Sequence, residues 1–249
     1  MDEILKLLAE GSIDVDEAKK QLRLFALEKT EKACLDLGRA CRKGVPEAVL
    51  AEWKKPNDAA KLALDIAKKC GICLVTRTNE VVVEEINKIS KGFITEPNII
   101  ARTVVIKKQD YKNSCAGTVG VIAAGTADIA VAEEAAVAAE VMGCRVIKAY
   151  DVGVAGIHRL FEPLAEMYEN GAGAIVVAAG MDGALPSVVS GLVDVPVIGV
   201  PTSVGYGFGK GGIGALTSML QTCSPGLAVV NIDNGFGAGV FAAMIVKKR

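Results

Sequence analysis

From Thr118 onward the chain alternates short apolar, β-branched runs with longer stretches whose apolar positions recur every three or four residues. The short runs fit strands buried on both faces, and the longer stretches fit helices. The pairs are residues 118–123 with 129–142, 145–150 with 157–169, 174–179 with 185–192, 196–200 with 213–222, and 228–232 with 236–246. Strand–helix units in series predict an α/β fold with a doubly wound parallel sheet in the C-terminal half.

The first half is less regular. Residues 1–9 are amphipathic, Gly11 stops that helix, and Ser12 or Asp14 can cap a second one over 16–26. A charged helix is predicted over 28–42, closed by Gly44 with Pro46 behind it. Asn57 reads as the cap of a helix over 57–69, followed by a short strand at 71–77. A further strand at 103–107 lies within a mixed, charged stretch over 78–113. The organisation read from this is a smaller, mixed, largely helical N-terminal region, 1–113, before an α/β domain, 114–249.

Composition narrows the picture. Hydrophobic residues make up 51% and aromatics 4%, so Ala, Val, Ile and Gly must fill the core. A formal net charge of -1 gives no long-range pull toward nucleic acid or an anionic membrane. The most apolar window, 171–193, contains Asp182 and Pro186 and reads as strand, turn and helix rather than a membrane span. The acidic, helical start lacks the basic leader of a signal peptide. Seven cysteines, odd in number and irregularly spaced, predict a reducing cytoplasmic location rather than a disulfide framework. Cys70 and Cys73 have no second pair at ligand spacing and read as core. The chain has one histidine, His158, so any step needing an imidazole must use it.

In a doubly wound sheet, ligands sit at the carboxyl ends of the strands. Just past the predicted strands stand Gly125, Thr126 and Asp128; Asp151, His158 and Arg159; Gly180, Met181 and Asp182; Pro201, Thr202 and Ser203; and Asn231, Asp233 and Asn234. Polar groups at five successive strand ends predict one shared site. Gly125 opens a helix whose first amides suit an anion, although Thr126 or Asp128 also reads as an N-cap. Arg159 offers a phosphate fork. Residues 207–212 match G-x-G-x-x-G with Asp233 about 20 residues on, as the dinucleotide fingerprint asks. They follow the fourth strand rather than the first, and read as a Gly-rich lid. Cys223, in Thr-Cys-Ser-Pro-Gly, reads by itself as an inert thiol.

These motifs jointly carry a resemblance. Ala-Gly-Thr-Ala-Asp at 124–128, Gly-Ile-His-Arg at 156–159, Ala-Gly-Met-Asp-Gly-Ala-Leu-Pro-Ser at 179–187 and Pro-Val-Ile-Gly-Val-Pro-Thr-Ser at 196–203 resemble a PurE-type aminoimidazole ribonucleotide carboxylase. Nearly the whole chain is similar to the LarB family. The marks are Gly44-Val45-Pro46-Glu47, Val75-Thr76-Arg77, residues 151–159, Cys223-Ser224-Pro225-Gly226 and residues 231–238. The resemblance implies a PurE/flavodoxin-like fold and a pyridinium-3,5-biscarboxylic acid mononucleotide synthase. Such an enzyme carboxylates nicotinic acid adenine dinucleotide at pyridine C5 with CO2 and cleaves its phosphoanhydride to release AMP, opening nickel-pincer cofactor synthesis. It implies an octamer, Cys223 as covalent nucleophile, and no need for ATP or biotin.

Asp182 is the candidate base for the C5 proton, with His158 the alternative. Arg159, Thr126 and Asp128 are expected to hold phosphate or ribose, with Mg²⁺ near the pyrophosphate and no protein metal ligands assigned. Ala127 and Met181-Asp182 depart from the purine pattern, which has a serine and a Gly-Ala-His stretch there. The alternatives are a purine-type carboxylase or mutase, a non-catalytic nucleotide-binding module, and a NAD-dependent oxidoreductase.

Overall fold

The computed structural model describes residues 2–22, 27–29, 34–36, 38–113 and 116–247. The chain divides into two compact units. One comprises Met1–Val75, Asn79–Glu96 and Val105–Tyr111; the other comprises Thr76–Thr78, Pro97–Val104 and Lys112–Arg249.

The first unit opens with helices α1 (Asp2–Ala9) and α2 (Val15–Leu22). Asp14 caps α2, its carboxylate accepting the Glu17 N–H at 2.7 Å; the predicted extension over 23–26 lies outside the described residues. The charged helix predicted over 28–42 is helical only at 39–42; 28–29 and 34–36 do not join it, and 30–33 and 37 lie outside the described residues. Instead β1 (Leu27–Lys29) and β2 (Cys34–Asp36) pair antiparallel, before a one-turn helix α3 (Arg39–Lys43). Leu35 is buried, so tertiary burial overrides a pattern whose charges fit either period.

Next come β3 (Ala48–Leu50), α4 (Pro56–Cys70), β4 (Ile72–Thr76), α5 (Glu80–Ile89), β5 (Phe93–Asn98) and β6 (Thr103–Lys108). Their sheet has the order β3-β4-β6-β5. α4 starts one residue before the predicted Asn57 cap because Pro56, with its fixed φ and no N–H, suits the first helical turn. Ile66, Leu74, Ile86 and Ile106 are almost wholly buried in this unit.

The second unit carries β7 (Thr118–Ala123), α6 (Ile129–Val141), β8 (Arg145–Ala149), α7 (Phe161–Glu169), β9 (Ala172–Ala179), α8 (Leu185–Ser190), β10 (Val197–Pro201), α9 (Ile213–Leu220), β11 (Leu227–Val229) and α10 (Gly235–Val246). The strands lie in the order β11-β10-β9-β7-β8 and every neighbouring pair is parallel. Read from the first strand, that is the flavodoxin-like order 2-1-3-4-5, whose switch point falls between β7 and β9.

One face of the sheet is covered by α6 and α10, which are rich in Ala and Gly. A Cβ on Gly239 would stand 2.1 Å from the Ala135 carbonyl, so only glycine lets these helices pack this closely. The other face packs Leu160, Leu164, Met167, Leu185, Val189 and Met219 over Ile122, Ile175 and Val177. This double cover explains the unbroken apolar strands.

One local expectation is corrected. α7 begins at Phe161, and residues 154–160 form 3-10 turns broken at Gly156. Pro163 would clash with the carbonyl four residues back, at Arg159, if the α-helix extended upstream. His158 and Arg159 therefore sit in the turn, not in the opening of the helix. Among the described residues no helix is long and apolar enough to cross a membrane.

Candidate functional site

The carboxyl ends of the strands in the second unit form an open shelf, built loop by loop. After β7, the Gly125 N–H donates to Asp128 Oδ2 at 2.9 Å, and buried Thr202 donates its hydroxyl to Asp128 Oδ1 at 2.6 Å. Asp128 is thus a buried strut between the ends of β7 and β10, leaving Gly125 and exposed Thr126 as the faces a ligand meets.

After β8, Asp151 takes a left-handed backbone, φ 58°, and its Oδ2 accepts from Arg159 Nη1 at 2.6 Å. Both side chains are exposed, so this pair contributes little to stability. It holds a guanidinium fork at the edge of the shelf. His158 is also exposed there.

After β9, Gly180 is forced by space, since a Cβ would lie 2.4 Å from the Val204 carbonyl. Met181 follows in a left-handed backbone, φ 53°, with its N–H donating to Val204 O at 2.8 Å. That tie leaves Asp182 exposed. After β11, Asp233 is left-handed too, φ 55°, and its Oδ1 accepts the Ser203 N–H at 2.8 Å. Asn234 is spent as the cap of α10, accepting the Gly237 N–H at 2.9 Å, while Asn231 is exposed. Non-glycine residues in this backbone region are strained, and strain gathers at functional loops. Here it falls on three of the strand ends.

Two participants escaped the sequence reading. Arg77, also left-handed at φ 53°, donates from Nη2 to the Asp233 carbonyl at 3.0 Å. Glu134, on α6, accepts from the Thr76 hydroxyl and from the Phe236 N–H. Burial raises the Glu134 carboxyl above its ordinary range, opposed by those bonds, the charge of Arg77 and the Gly235 N–H. The only signal for Arg77 was its place in Val-Thr-Arg.

Cys223 is not brought to this shelf within one chain. It lies between the end of α9 and the start of β11, whose Leu227 is in register with Val197, the first residue of β10. Its neighbour Ser224 reaches the position of Gly191, at the far end of α8. Cys223 is exposed at the amino edge, about 15 Å from the shelf at roughly 3.3 Å per strand residue. Cavities of about 440 and 350 Å³ in this unit also open near that edge, lined in common by Tyr168 and Asp194.

Burial pushes the Cys73 thiol far above its ordinary range, helped by Cys70 and Glu47, so it stays protonated. Among the described residues no three His, Cys, Asp or Glu side chains converge as a metal site.

A family model described as AIR carboxylase matches residues 118–249, and one described as a LarB/PurE-like N-terminal domain matches residues 27–109. An uncharacterized protein of Methanocaldococcus jannaschii is 47% identical over 249 residues, covering 98% of this chain and 96% of that protein. A Methanothermobacter thermautotrophicus protein named "probable N5-carboxyaminoimidazole ribonucleotide mutase" is 34% identical over 102 residues, 39% of this chain and 29% of that one.

Proposed function

Because this chain belongs to the LarB family, a LarB/PurE-like domain followed by an AIR carboxylase domain, we propose that it carboxylates nicotinic acid adenine dinucleotide and cleaves the phosphoanhydride. The products are pyridinium-3,5-biscarboxylic acid mononucleotide and AMP, the first intermediate of a nickel-pincer cofactor and its by-product. The observation that carries this reading is the presence of both domains on one chain. The similarity to the purine-type mutase spans only 102 residues, 39% of this chain.

The residues suit the chemistry. A pyridinium ring is too electron-poor to attack CO2. A thiolate adding at C4 makes a dihydropyridine, in which C5 is an enamine carbon and a nucleophile. C5 bonds to the carbon of CO2, a base takes the C5 proton, and the thiolate leaves with its electron pair as the ring rearomatises. Water then splits the phosphoanhydride. Cysteine serves because its thiolate both attacks and departs readily. No ATP or biotin is required by these steps.

In this reading Arg159, Thr126 and the Gly125 amide hold the phosphates, Ser203, Asn231 and Asp233 hold the sugar, and Asp182 takes the proton. Mg²⁺, where present, would stabilise the charge that grows as the phosphoanhydride is cleaved.

Cys223 stands at the opposite edge of the same sheet, so the proposal requires a second copy to bring its Cys223 to the shelf. Leu192 and Leu220, large apolar side chains exposed on that edge beside Cys223, favour such packing. The octamer expected from the family would supply it.

The test is direct. The protein is incubated with nicotinic acid adenine dinucleotide and ¹³C-bicarbonate, and products are read by mass spectrometry. A labelled biscarboxylated mononucleotide with equimolar AMP supports the reading. Binding without AMP supports a non-catalytic module, and turnover of aminoimidazole ribonucleotide instead supports the purine-type alternative.

A further inference from the structure

The segments Thr76–Thr78 and Pro97–Val104 come from the first half of the chain but belong to the same compact unit as the shelf. They hold each other. The Thr78 N–H donates to the Arg102 carbonyl at 2.8 Å, and Arg102 Nε donates back to the Thr78 carbonyl at 3.1 Å. Arg102, like Arg77, has a left-handed backbone, φ 52°. A second anchor is Glu134, which takes the Thr76 hydroxyl and the amide of Phe236 at the start of α10.

Between these anchors Arg77 reaches the carbonyl of Asp233, a residue whose own backbone is strained. The rest of Asp233 is pinned by its N–H to the Pro201 carbonyl at 2.9 Å and by its carboxylate to the Ser203 amide. The guanidinium holds the carbonyl on the other side of the Asp233 Cα. A left-handed conformation persists at an L-residue only where its surroundings over-determine it.

We propose that Arg77 is a positioning residue of the site: by fixing the Asp233 backbone, it aims the Asp233 carboxylate at a hydroxyl donor of the bound nucleotide. The inference rests on the reading of the shelf as a nucleotide site and extends it to a residue outside the carboxylase domain. Arg77 acts through Asp233 rather than by touching the reacting atoms.

The experiment is a double-mutant cycle on the full chain with Arg77→Ala, Arg77→Lys, Asp233→Asn and Arg77→Ala/Asp233→Asn. Calorimetric titration with nicotinic acid adenine dinucleotide and, separately, AMP gives Kd; AMP release gives KM and kcat. Asp233→Asn and Arg77→Ala should each raise Kd and KM about tenfold, with kcat within about threefold of wild type. The double variant should bind no more than about twofold worse than Asp233→Asn alone, because coupled residues are not additive. Arg77→Lys, which keeps charge and a donor, should recover a substantial part of the loss.

Unchanged Kd in a folded Arg77→Ala protein overturns the proposal, and so does a double variant that loses the product of the two single effects. If Arg77→Ala does not fold, the Arg77→Lys/Asp233→Asn cycle decides by the same criterion. If Asp233→Asn binds like wild type while Arg77→Ala does not, the route through Asp233 is wrong. If wild type binds neither ligand, the nucleotide reading of the shelf fails first and takes this inference with it.

Discussion

Thr202 Oγ donates to Asp128 Oδ1 at 2.6 Å, joining the ends of two strands that are not adjacent in the sheet, β10 and β7. Both residues are buried, so the bond is shielded from water. The other Asp128 oxygen orients the Gly125 N–H. The strut therefore links sheet stability to the turn at Gly125. Thr202→Val keeps the shape but leaves a buried carboxylate oxygen short of a donor, at a cost of about 1–3 kcal/mol. Thermal denaturation should show Tm falling by several degrees and Thr202→Ser restoring most of it. A Thr202→Val protein as stable as wild type would remove the strut from the account.

A second expectation concerns Cys223. Its side chain is exposed, so Cys223→Ser should leave Tm within about one degree while abolishing the carboxylated product. The position of Cys223 across the sheet makes the stronger prediction. Cys223→Ser and Asp182→Asn chains should each be inactive alone, yet recover activity when co-expressed. Random pairing leaves about a quarter of sites with an intact shelf from one chain and an intact thiol from another. Hybrid oligomers verified by native mass spectrometry but no more active than either parent would place the whole site within one chain.

Asp182 and His158 can be separated as bases. Both are exposed, so neither substitution should disturb the fold. Loss of a positioned general base lowers kcat by about 10²–10⁴. Asp182→Asn should show that loss with Kd for the dinucleotide within threefold, and His158→Gln should keep kcat within tenfold. The reverse ranking, read from single-turnover AMP release and carboxylation, would assign the proton transfer to the imidazole.

How much of this could be read from the chain follows from the range of the forces involved. The β-α units from Thr118 to Val246 were legible because strands buried on both faces and covered by helices leave unbroken apolar runs. That the candidate residues stand at strand ends was legible because the β-α order alone fixes which loops follow which strands. The stretch over 27–36 was misread because its charges permit either period, and only the burial of Leu35 decides for strands. The left-handed Asp151, Met181 and Asp233 were beyond reach, since nothing in those residue types demands that backbone. Arg77 was missed because its partner is 156 residues away. Cys223 was assigned from its motif, while its place at the amino edge follows only from the register of β11 with β10.

The Glu133 carboxylate on α6 accepts from the Asn98 amide at 2.7 Å and so ties the Pro97–Val104 segment to that helix. Burial by itself would raise the Glu133 carboxyl, but the Tyr150 hydroxyl, the Asn98 amide and the Lys148 ammonium outweigh it and hold it below the ordinary value near 4.5. A carboxyl whose folded pKa is depressed contributes stability above its unfolded pKa and loses it as pH falls through the folded one. Wild type should therefore be more stable than Glu133→Gln at pH 6–7, and the gap in Tm should close as pH drops below about 4.5. Tyr150→Phe removes the strongest of the opposing bonds, so it should narrow the same gap without changing the net charge. Differential scanning fluorimetry across pH 3–7 reads all three proteins. A gap that stays constant over that range would mean Glu133 acts through packing rather than through its charge.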